Sequence, residues 1–180
     1  QRSAKMQHRR PAWRIKVDDE LIAFTDMHYG RQQANLAHEC GDFILRRSDG
    51  VYAYQLAVVI DDALMGVNQV VRGCDLLSST PVQLYLYRLL NLTPPSFCHI
   101  PLLTDTEGRR LSKRDGDLEI AALRQHFGSP EPIIGLLAYL AGQLPKPEPI
   151  TAAELLPLFR PEAVPHDNIV VPQLLELRRQ

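Results

Sequence analysis

The sequence predicts an α/β fold, and two observations carry that expectation. Between Tyr54 and Leu103, runs of helical and extended character alternate, an order that suits part of a parallel sheet. Proline is also distributed unevenly. Of the 14 prolines, only Pro11 and Pro81 precede residue 94. Longer regular elements are therefore expected first, and short helices between stiff breaks in the last third.

Composition narrows the class. The chain has 180 residues, enough for one good core or two small ones. Hydrophobic content of 45% and charged content of 23% are those of a globular protein. A formal net charge of −1 excludes a generally basic nucleic-acid coat, though not a local basic patch. The longest strongly apolar stretch, Ile133 to Gly142, is well short of the ~20 residues that span a bilayer. No apolar signal segment opens the sequence, so a soluble, cytoplasmic protein without a membrane partner is expected. Residue 1 is Gln, which suggests a piece of a longer chain. Cys40, Cys74 and Cys98 form no CxxC pair, which argues against a disulfide framework or a zinc knuckle. No metal site is predicted; His38-Glu39-Cys40 lacks a second ligand pair.

Residues 1–16 are basic and nearly patternless, as a solvated lead-in is. Trp13 to Val17 alternates like a half-buried strand, Leu21 to Thr25 is a second short strand, and Asp42 to Arg47 a third. The last runs into Asp49-Gly50, a tight-turn signal, before Val51-Tyr52-Ala53. Tyr54 to Met65 is ambiguous: its β-branched residues suit a buried strand, while its length and Gly66 as a stop favour a helix. Val67 to Arg72 reads as a strand and Gly73-Cys74-Asp75 as a turn. Thr80-Pro81-Val82-Gln83 reads as a helix start with Thr80 as the cap. Phe97 to Leu103 is another buried strand. A polar loop then spans Thr104 to Asp117. Asp117 is expected to cap a helix whose apolar face holds Ile120, Leu123 and Phe127. A second helix runs from Ser129-Pro130 to Ala141, ending at Gly142. Pro145, Pro147 and Pro149 form a linker, and Thr151 with Glu154 a capping box. Residues 117–180 thus read as a small all-helical module.

Arg109-Arg110-Leu111-Ser112-Lys113-Arg114 is the segment richest in chemistry. Four cations and a hydroxyl in a polar loop suit a polyphosphate, with Lys as a mobile point charge and Arg as a fork of donors. The loop follows a candidate sheet strand, where open α/β folds hold ligands. A solvated basic loop is the competing reading.

Word order raises the specificity. Tyr54-Gln55-Leu56-Ala57-Val58-Val59-Ile60-Asp61-Asp62, then Val70-Val71-Arg72-Gly73-Cys74-Asp75-Leu76-Leu77, then Thr80-Pro81, then His99-Ile100-Pro101-Leu102, then Leu111-Ser112-Lys113-Arg114, resembles the second half of a glutamyl-type class I aminoacyl-tRNA synthetase. The resemblance covers roughly residues 13–170. Within that family, the tail through Ala163-Val164-Pro165 and Ile169-Val170-Val171 is similar to that of the glutamyl-Q tRNA(Asp) synthetases, shortened paralogues without an anticodon-binding domain. Ser112-Lys113-Arg114-Asp115-Gly116 is closer to ordinary glutamyl-tRNA synthetases.

The resemblance implies a fold: the second half of a Rossmann-type catalytic domain followed by the helical module. Residues 1–50 would end an acceptor-side insertion, 51–116 would be the catalytic half, and 117–180 a stem-contact-like module. It implies that glutamate is activated with ATP and Mg2+ as glutamyl-adenylate, then passed to queuosine of tRNA(Asp), with tRNA(Glu) as the alternative acceptor. Arg110, Leu111, Ser112, Lys113 and Arg114 would form the second ATP signature, with Lys113 catalytic. Tyr54 and Arg72 would contact glutamate, and a cation at position 72 also suits choosing Glu over Gln. The family's first ATP signature, His-x-Gly-His, is not matched; His28-Tyr29-Gly30-Arg31 ends in Arg and lies out of order. The first half of the fold, and any zinc cluster, are accordingly expected upstream, and an isolated chain is expected to be an inactive monomer.

Other residues have plainer readings. Asp61 and Asp62 point about 100° apart on a helix, which argues against joint acid–base work. Asp75 suits a turn cap, and His99 a satisfied histidine at a strand edge. Trp13, Tyr85 and Tyr87 read as packing residues. Two rivals remain open: a cut piece of an ordinary glutamyl-tRNA synthetase, and a non-catalytic tRNA-binding module that kept the fold.

Overall fold

A computed structural model describes residues 10–111 and 120–171. The chain divides into two compact units, Gln1–His99 and Ile100–Gln180.

The first unit begins with two antiparallel strand pairs. β1 (Trp13–Ile15) pairs with β4 (Phe43–Arg46), and β2 (Leu21–Asp26) with β3 (Gly30–Asn35). β2 alternates as its sequence predicts, with Ile22 buried between exposed Leu21 and Ala23. Asn35 ends β3 and caps the one-turn helix α1 (Leu36–Glu39) by accepting the N–H groups of Ala37 and His38. The Asp49-Gly50 turn folds Tyr52 back into a bridge with Arg46.

The ambiguous run after Ala53 is a helix, α2 (Tyr54–Leu64). It buries Val59 against Leu86 and Tyr87, with Val58 and Ala63 packed alongside. Gly66 takes φ +69, a left-handed stop that glycine accepts without strain. β5 (Gln69–Gly73) pairs with β6 (Ser96–Ile100). Between them lie a 3-10 segment, Cys74–Ser79, and α3 (Thr80–Leu89). The expected turn at Gly73 is thus longer and helical. α3 holds both apolar clusters of this unit: Val82 and Tyr85 pack with Val17, Ile22 and Leu36, while Leu86 and Tyr87 pack with Val59. Full burial of one such side chain is worth about 1.5–3 kcal/mol.

Two expectations are corrected here. Thr80 does not cap α3. It is the first helical residue, Ser79 stands at the cap, and Ser79 makes no side-chain cap bond. The Thr80 hydroxyl serves Arg72 instead, and Gln83 donates to Gln55 rather than closing a capping box. Trp13 is 56% exposed and is covered on one face by the Arg46 guanidinium, so it is not a core residue. Tyr85 and Tyr87 are core residues, as expected.

The second unit starts where the predicted Phe97–Leu103 strand breaks. Pro101 has no N–H to give a ladder, so β6 stops at Ile100 and a short β7 (Leu103–Thr104) follows. Two longer helices, α4 (Ile120–Phe127) and α5 (Glu131–Leu140), precede the short α6 (Ala152–Leu155). The capping box at α6 is present: Thr151 accepts from the Glu154 N–H, and the Glu154 carboxylate accepts from the Thr151 N–H. The expected Asp117 cap of α4 lies outside the described residues.

Residues 117–180 are not all-helical. β8 (Ile169–Val170) returns to pair in parallel with β7. The physical reason is an apolar one: Val171 is 1% exposed and packs with Leu123 in a core that also takes in Leu103, Leu111, Phe127, Leu136 and Ile169. The proline-rich stretch is not a free linker either. A Cβ on Gly135 would stand 1.8 Å from the Glu148 carbonyl oxygen, so that segment crosses α5 at a point only glycine permits. Among the described residues, no helix is long and apolar enough to cross a membrane.

Candidate functional site

In the first unit a chain of polar side chains runs through the interior. Asp26, at the end of β2, and His99, on β6, are both fully buried. Asp26 Oδ2 lies 2.6 Å from His99 Nδ1. Asp26 Oδ1 accepts the N–H groups of His28 at 3.0 Å and Tyr29 at 2.9 Å. The His99 N–H also donates to this carboxylate, at 3.2 Å. Burial pushes the Asp26 carboxyl up; the donors from Tyr29, His99 and His28 outweigh it and hold the carboxyl below its ordinary range.

His99 Nε2 then accepts from Arg72 Nε at 2.9 Å. Arg72 Nη2 donates to Thr80 Oγ1 at 2.9 Å and to the Leu76 carbonyl at 3.3 Å. The guanidinium lies over the Phe97 ring, 5.2 Å from its centroid. Burial pulls the Arg72 value down, while Tyr54, Asp62, Asp26 and Asp75 all act to raise it. Arg72 is thus a half-buried cation at the end of a sheet strand, held along its Nε and Nη2 edge.

Tyr54 opens α2 and is 57% exposed, and its electrostatic influence reaches Arg72. These two residues, chosen from sequence 18 positions apart, therefore share one neighbourhood in the first unit. Tyr87 shares it too. Its buried hydroxyl has no hydrogen-bond partner among the described residues. Burial, and then the nearby Asp62 charge, push it up to about 12.

The second unit presents a different kind of site. Leu103–Thr104 and Arg110-Leu111 form the arms of a small hairpin: Thr104 bridges Arg110, and the Leu111 N–H donates to the Leu103 carbonyl at 3.1 Å. Asp105 organises its tip by accepting the N–H groups of Glu107 at 2.9 Å and Arg109 at 2.8 Å. Its other oxygen takes Arg109 Nε at 2.7 Å. Burial raises the Asp105 carboxyl, but these donors outweigh it and lower it. Leu111 packs into the core, whereas Arg110 is exposed. Ser112, Lys113 and Arg114 lie outside the described residues.

Sequence reading chose Tyr54 and Arg72 but not the residues that grip Arg72. Asp26 and His99 are 73 positions apart, so no local motif joins them. The available signal was an Asp closing an alternating strand and a His inside an apolar one, each the mark of a buried polar group awaiting a partner. No group of acidic, His and Cys side chains suited to a metal occurs among the described residues.

In the first unit the gripped arginine suits carboxylate recognition, and in the second the cationic loop suits phosphate recognition. That is the chemistry of an amino-acid-activating enzyme. The chain belongs to the class I tRNA synthetases (E and Q), whose catalytic-domain model matches residues 1–156. It is 46% identical over 171 residues to a glutamyl-Q tRNA(Asp) synthetase of Symbiobacterium thermophilum, covering 95% of this chain and 53% of the relative. It is 51% identical over 164 residues to one from Nitratidesulfovibrio vulgaris, covering 91% of this chain and 51% of that protein. The chain thus spans about half the length of these curated relatives. Among solved structures it resembles a glutamate tRNA ligase from Elizabethkingia meningosepticum, crystallised with its amino acid. The TM-score is 0.68 at 26% identity, over 84% of this chain and 34% of that one.

Proposed function

We propose that the protein carrying this chain activates glutamate with ATP and transfers it to queuosine in the anticodon of tRNA(Asp). The observation that carries this reading is the 46–51% identity, across nearly the whole chain, to relatives named for that activity. In the first step a glutamate carboxylate oxygen attacks the α-phosphorus of ATP and pyrophosphate leaves. In the second, a hydroxyl on the cyclopentene ring of queuosine attacks the glutamyl carbonyl and AMP leaves.

The roles follow the chemistry. Arg72 pairs with a substrate carboxylate through Nη1, the nitrogen its neighbours leave uncommitted, a task that suits a guanidinium already oriented by its Nε and Nη2 contacts. Tyr54 offers its hydroxyl to the same ligand. Lys113 stabilises charge on the departing pyrophosphate, with Arg110, Leu111, Ser112 and Arg114 completing the ATP loop. Mg2+ travels with the nucleotide. Residues 51–116 act as the second half of the nucleotide-binding domain, 1–50 as the end of an acceptor-side insertion, and 117–180 as a stem-contacting module. On this reading the first half of the fold lies outside these 180 residues, the isolated chain gives no turnover, and the whole protein works in the cytoplasm as a monomer.

The test is glutamate-dependent ATP–pyrophosphate exchange by the full-length protein. It is followed by transfer of labelled glutamate to tRNA(Asp) with and without queuosine. Exchange with transfer only to the queuosine-containing tRNA is expected. Transfer to the terminal ribose of tRNA(Glu) instead would support the second reading, an ordinary glutamyl-tRNA synthetase, which the Ser112-Lys113-Arg114-Asp115-Gly116 word favours. Steeply salt-dependent tRNA binding without exchange would identify a non-catalytic module.

A further inference from the structure

We infer that Asp26 and His99 act as a tautomer lock that positions Arg72, and through it sets how the protein tells glutamate from glutamine. The inference rests on the reading of Arg72 as the carboxylate-binding residue.

The argument is one of donors and acceptors. A guanidinium has only donors. Arg72 Nε points at His99 Nε2 at 2.9 Å, so Nε2 must accept and carry no proton. The ring proton then sits on Nδ1 and donates to Asp26 Oδ2 at 2.6 Å. A doubly protonated ring would set a second N–H against the Arg72 N–H, so the imidazole is neutral. Thr80 Oγ1, 3.3 Å from His99 Nε2, accepts from Arg72 Nη2 and can turn its own proton towards the ring. The donors and acceptors of the chain Asp26–His99–Arg72–Thr80 are all matched when the ring proton sits on Nδ1.

Asp26 is built to enforce that arrangement. Its Oδ1 accepts the His28 and Tyr29 N–H groups, the His99 backbone N–H is shared between both oxygens at 3.2 Å, and Oδ2 alone faces the ring. The side chains of both Asp26 and His99 are fully buried, where water cannot supply a missing partner. The lock therefore leaves the guanidinium one orientation, gripped by Nε and Nη2, with Nη1 as its remaining edge. Tyr54, Asp62 and Asp75 also act on Arg72 through charge, whereas His99, Thr80 and the Leu76 carbonyl hold it by hydrogen bonds.

Asp26→Asn separates this role from mere packing. It keeps size and shape, but the amide carbonyl must stay on the His28 and Tyr29 N–H groups. Its NH2 then faces His99 Nδ1, which forces the proton onto Nε2 and turns a hydrogen bond to Arg72 into a clash of donors. The geometry parallels a triad carboxylate changed to its amide, where the wrong tautomer is the damage.

The test uses the full-length protein with 15N-labelled histidine. The unaltered protein should show His99 as the neutral Nδ1–H tautomer, and Asp26→Asn should convert it to Nε2–H. Asp26→Asn should raise the glutamate KM about ten- to a hundred-fold, as an unsatisfied buried donor costs, and lower the glutamate-over-glutamine ratio of kcat/KM. The ATP KM should stay within about two-fold. His99→Gln, whose carbonyl can still accept from Arg72, should keep a glutamate KM nearer to native than His99→Leu. An Nε2–H tautomer in the unaltered protein overturns the inference without any variant. So does an unchanged glutamate KM in Asp26→Asn and His99→Leu while Arg72→Ala raises it, a result that leaves the reading of Arg72 standing. An unchanged glutamate KM in Arg72→Ala removes that reading, and the lock with it.

Discussion

The two units handle arginine in opposite ways. Arg72 is half-buried and gripped by His99, Thr80 and a backbone carbonyl. Arg109 and Arg110 sit on an exposed hairpin, where Arg109 pairs with Asp105 while its side chain remains 69% exposed. On the function proposed above, the difference follows from what each cation would meet. A carboxylate in a fixed place rewards one orientation set in advance, since the ordering cost is met when the protein folds. A polyphosphate carries several oxygens and tolerates a range of approach, so surface cations suffice. Burial near Arg72 strengthens each polar contact, whereas solvent weakens those at the hairpin tip.

That contrast can be broken by substitution. In the full-length protein, Arg72→Ala should cost about 2–5 kcal/mol in kcat/KM for glutamate, measured by pyrophosphate exchange, as truncating one partner of a desolvated charge pair does. Arg109→Ala should leave the glutamate KM unchanged. Equal effects at both positions would erase the distinction between gripped and surface arginine.

Packing in the second unit comes next in size. Gly135→Ala would drive a methyl group into the Glu148 carbonyl, whose oxygen stands 1.8 Å from the ideal Cβ. The expected loss is about 1–3 kcal/mol by denaturant unfolding. Gly142→Ala adds a left-handed φ of +71 to a contact with the Ala163 carbonyl and should be similarly harmful. If Gly135→Ala is silent, the proline-rich segment does not cross α5 as described.

Acid should affect both units. Asp26 and Asp105 are each held below the ordinary carboxylate range in the folded chain. Unfolded, they titrate near about 3.9. A lowered folded value means the unfolded chain binds protons first, so the stabilisation is full above about 3.9 and is lost as pH falls through the folded values. Melting temperature should therefore be level from neutrality down to about pH 5 on this account, then fall. Asp26→Asn should remove part of that fall, and a slope unchanged by the substitution would contradict the donors assigned to this carboxylate.

The smallest expected effect is at Tyr87. Its buried hydroxyl has no partner among the described residues, so Tyr87→Phe should be neutral or stabilising within about 1 kcal/mol. A clear loss of stability would show that this hydroxyl is bonded, most simply through water beside Asp62 and Arg72.

Much of the molecule was legible in local patterns. The strand at Leu21, the Asp49-Gly50 turn, the Gly66 stop and the Thr151–Glu154 capping box are each decided within a few residues. The words Val71-Arg72-Gly73 and Leu111-Ser112-Lys113-Arg114 pointed to the family through their order. Thr80 misled because a Thr-Pro pair makes a good helix start in isolation. The half-buried Arg72 guanidinium takes that hydroxyl instead of the backbone N–H groups.

Sequence alone therefore settled which residue types stand where along the chain: an arginine closing a strand, a cationic loop, capping and turn residues at their short spacings. These depend on neighbours a few positions away, and the family resemblance is read from the same order. What joined Asp26 to His99 across 73 positions, and both to Arg72, was the packing of β2, β5 and β6 in one unit. The return of Ile169–Val170 to pair with β7 has the same origin. Such pairings are selected by burial, where a polar group must find its partner and an apolar one its neighbours, and burial exists only once the chain has folded.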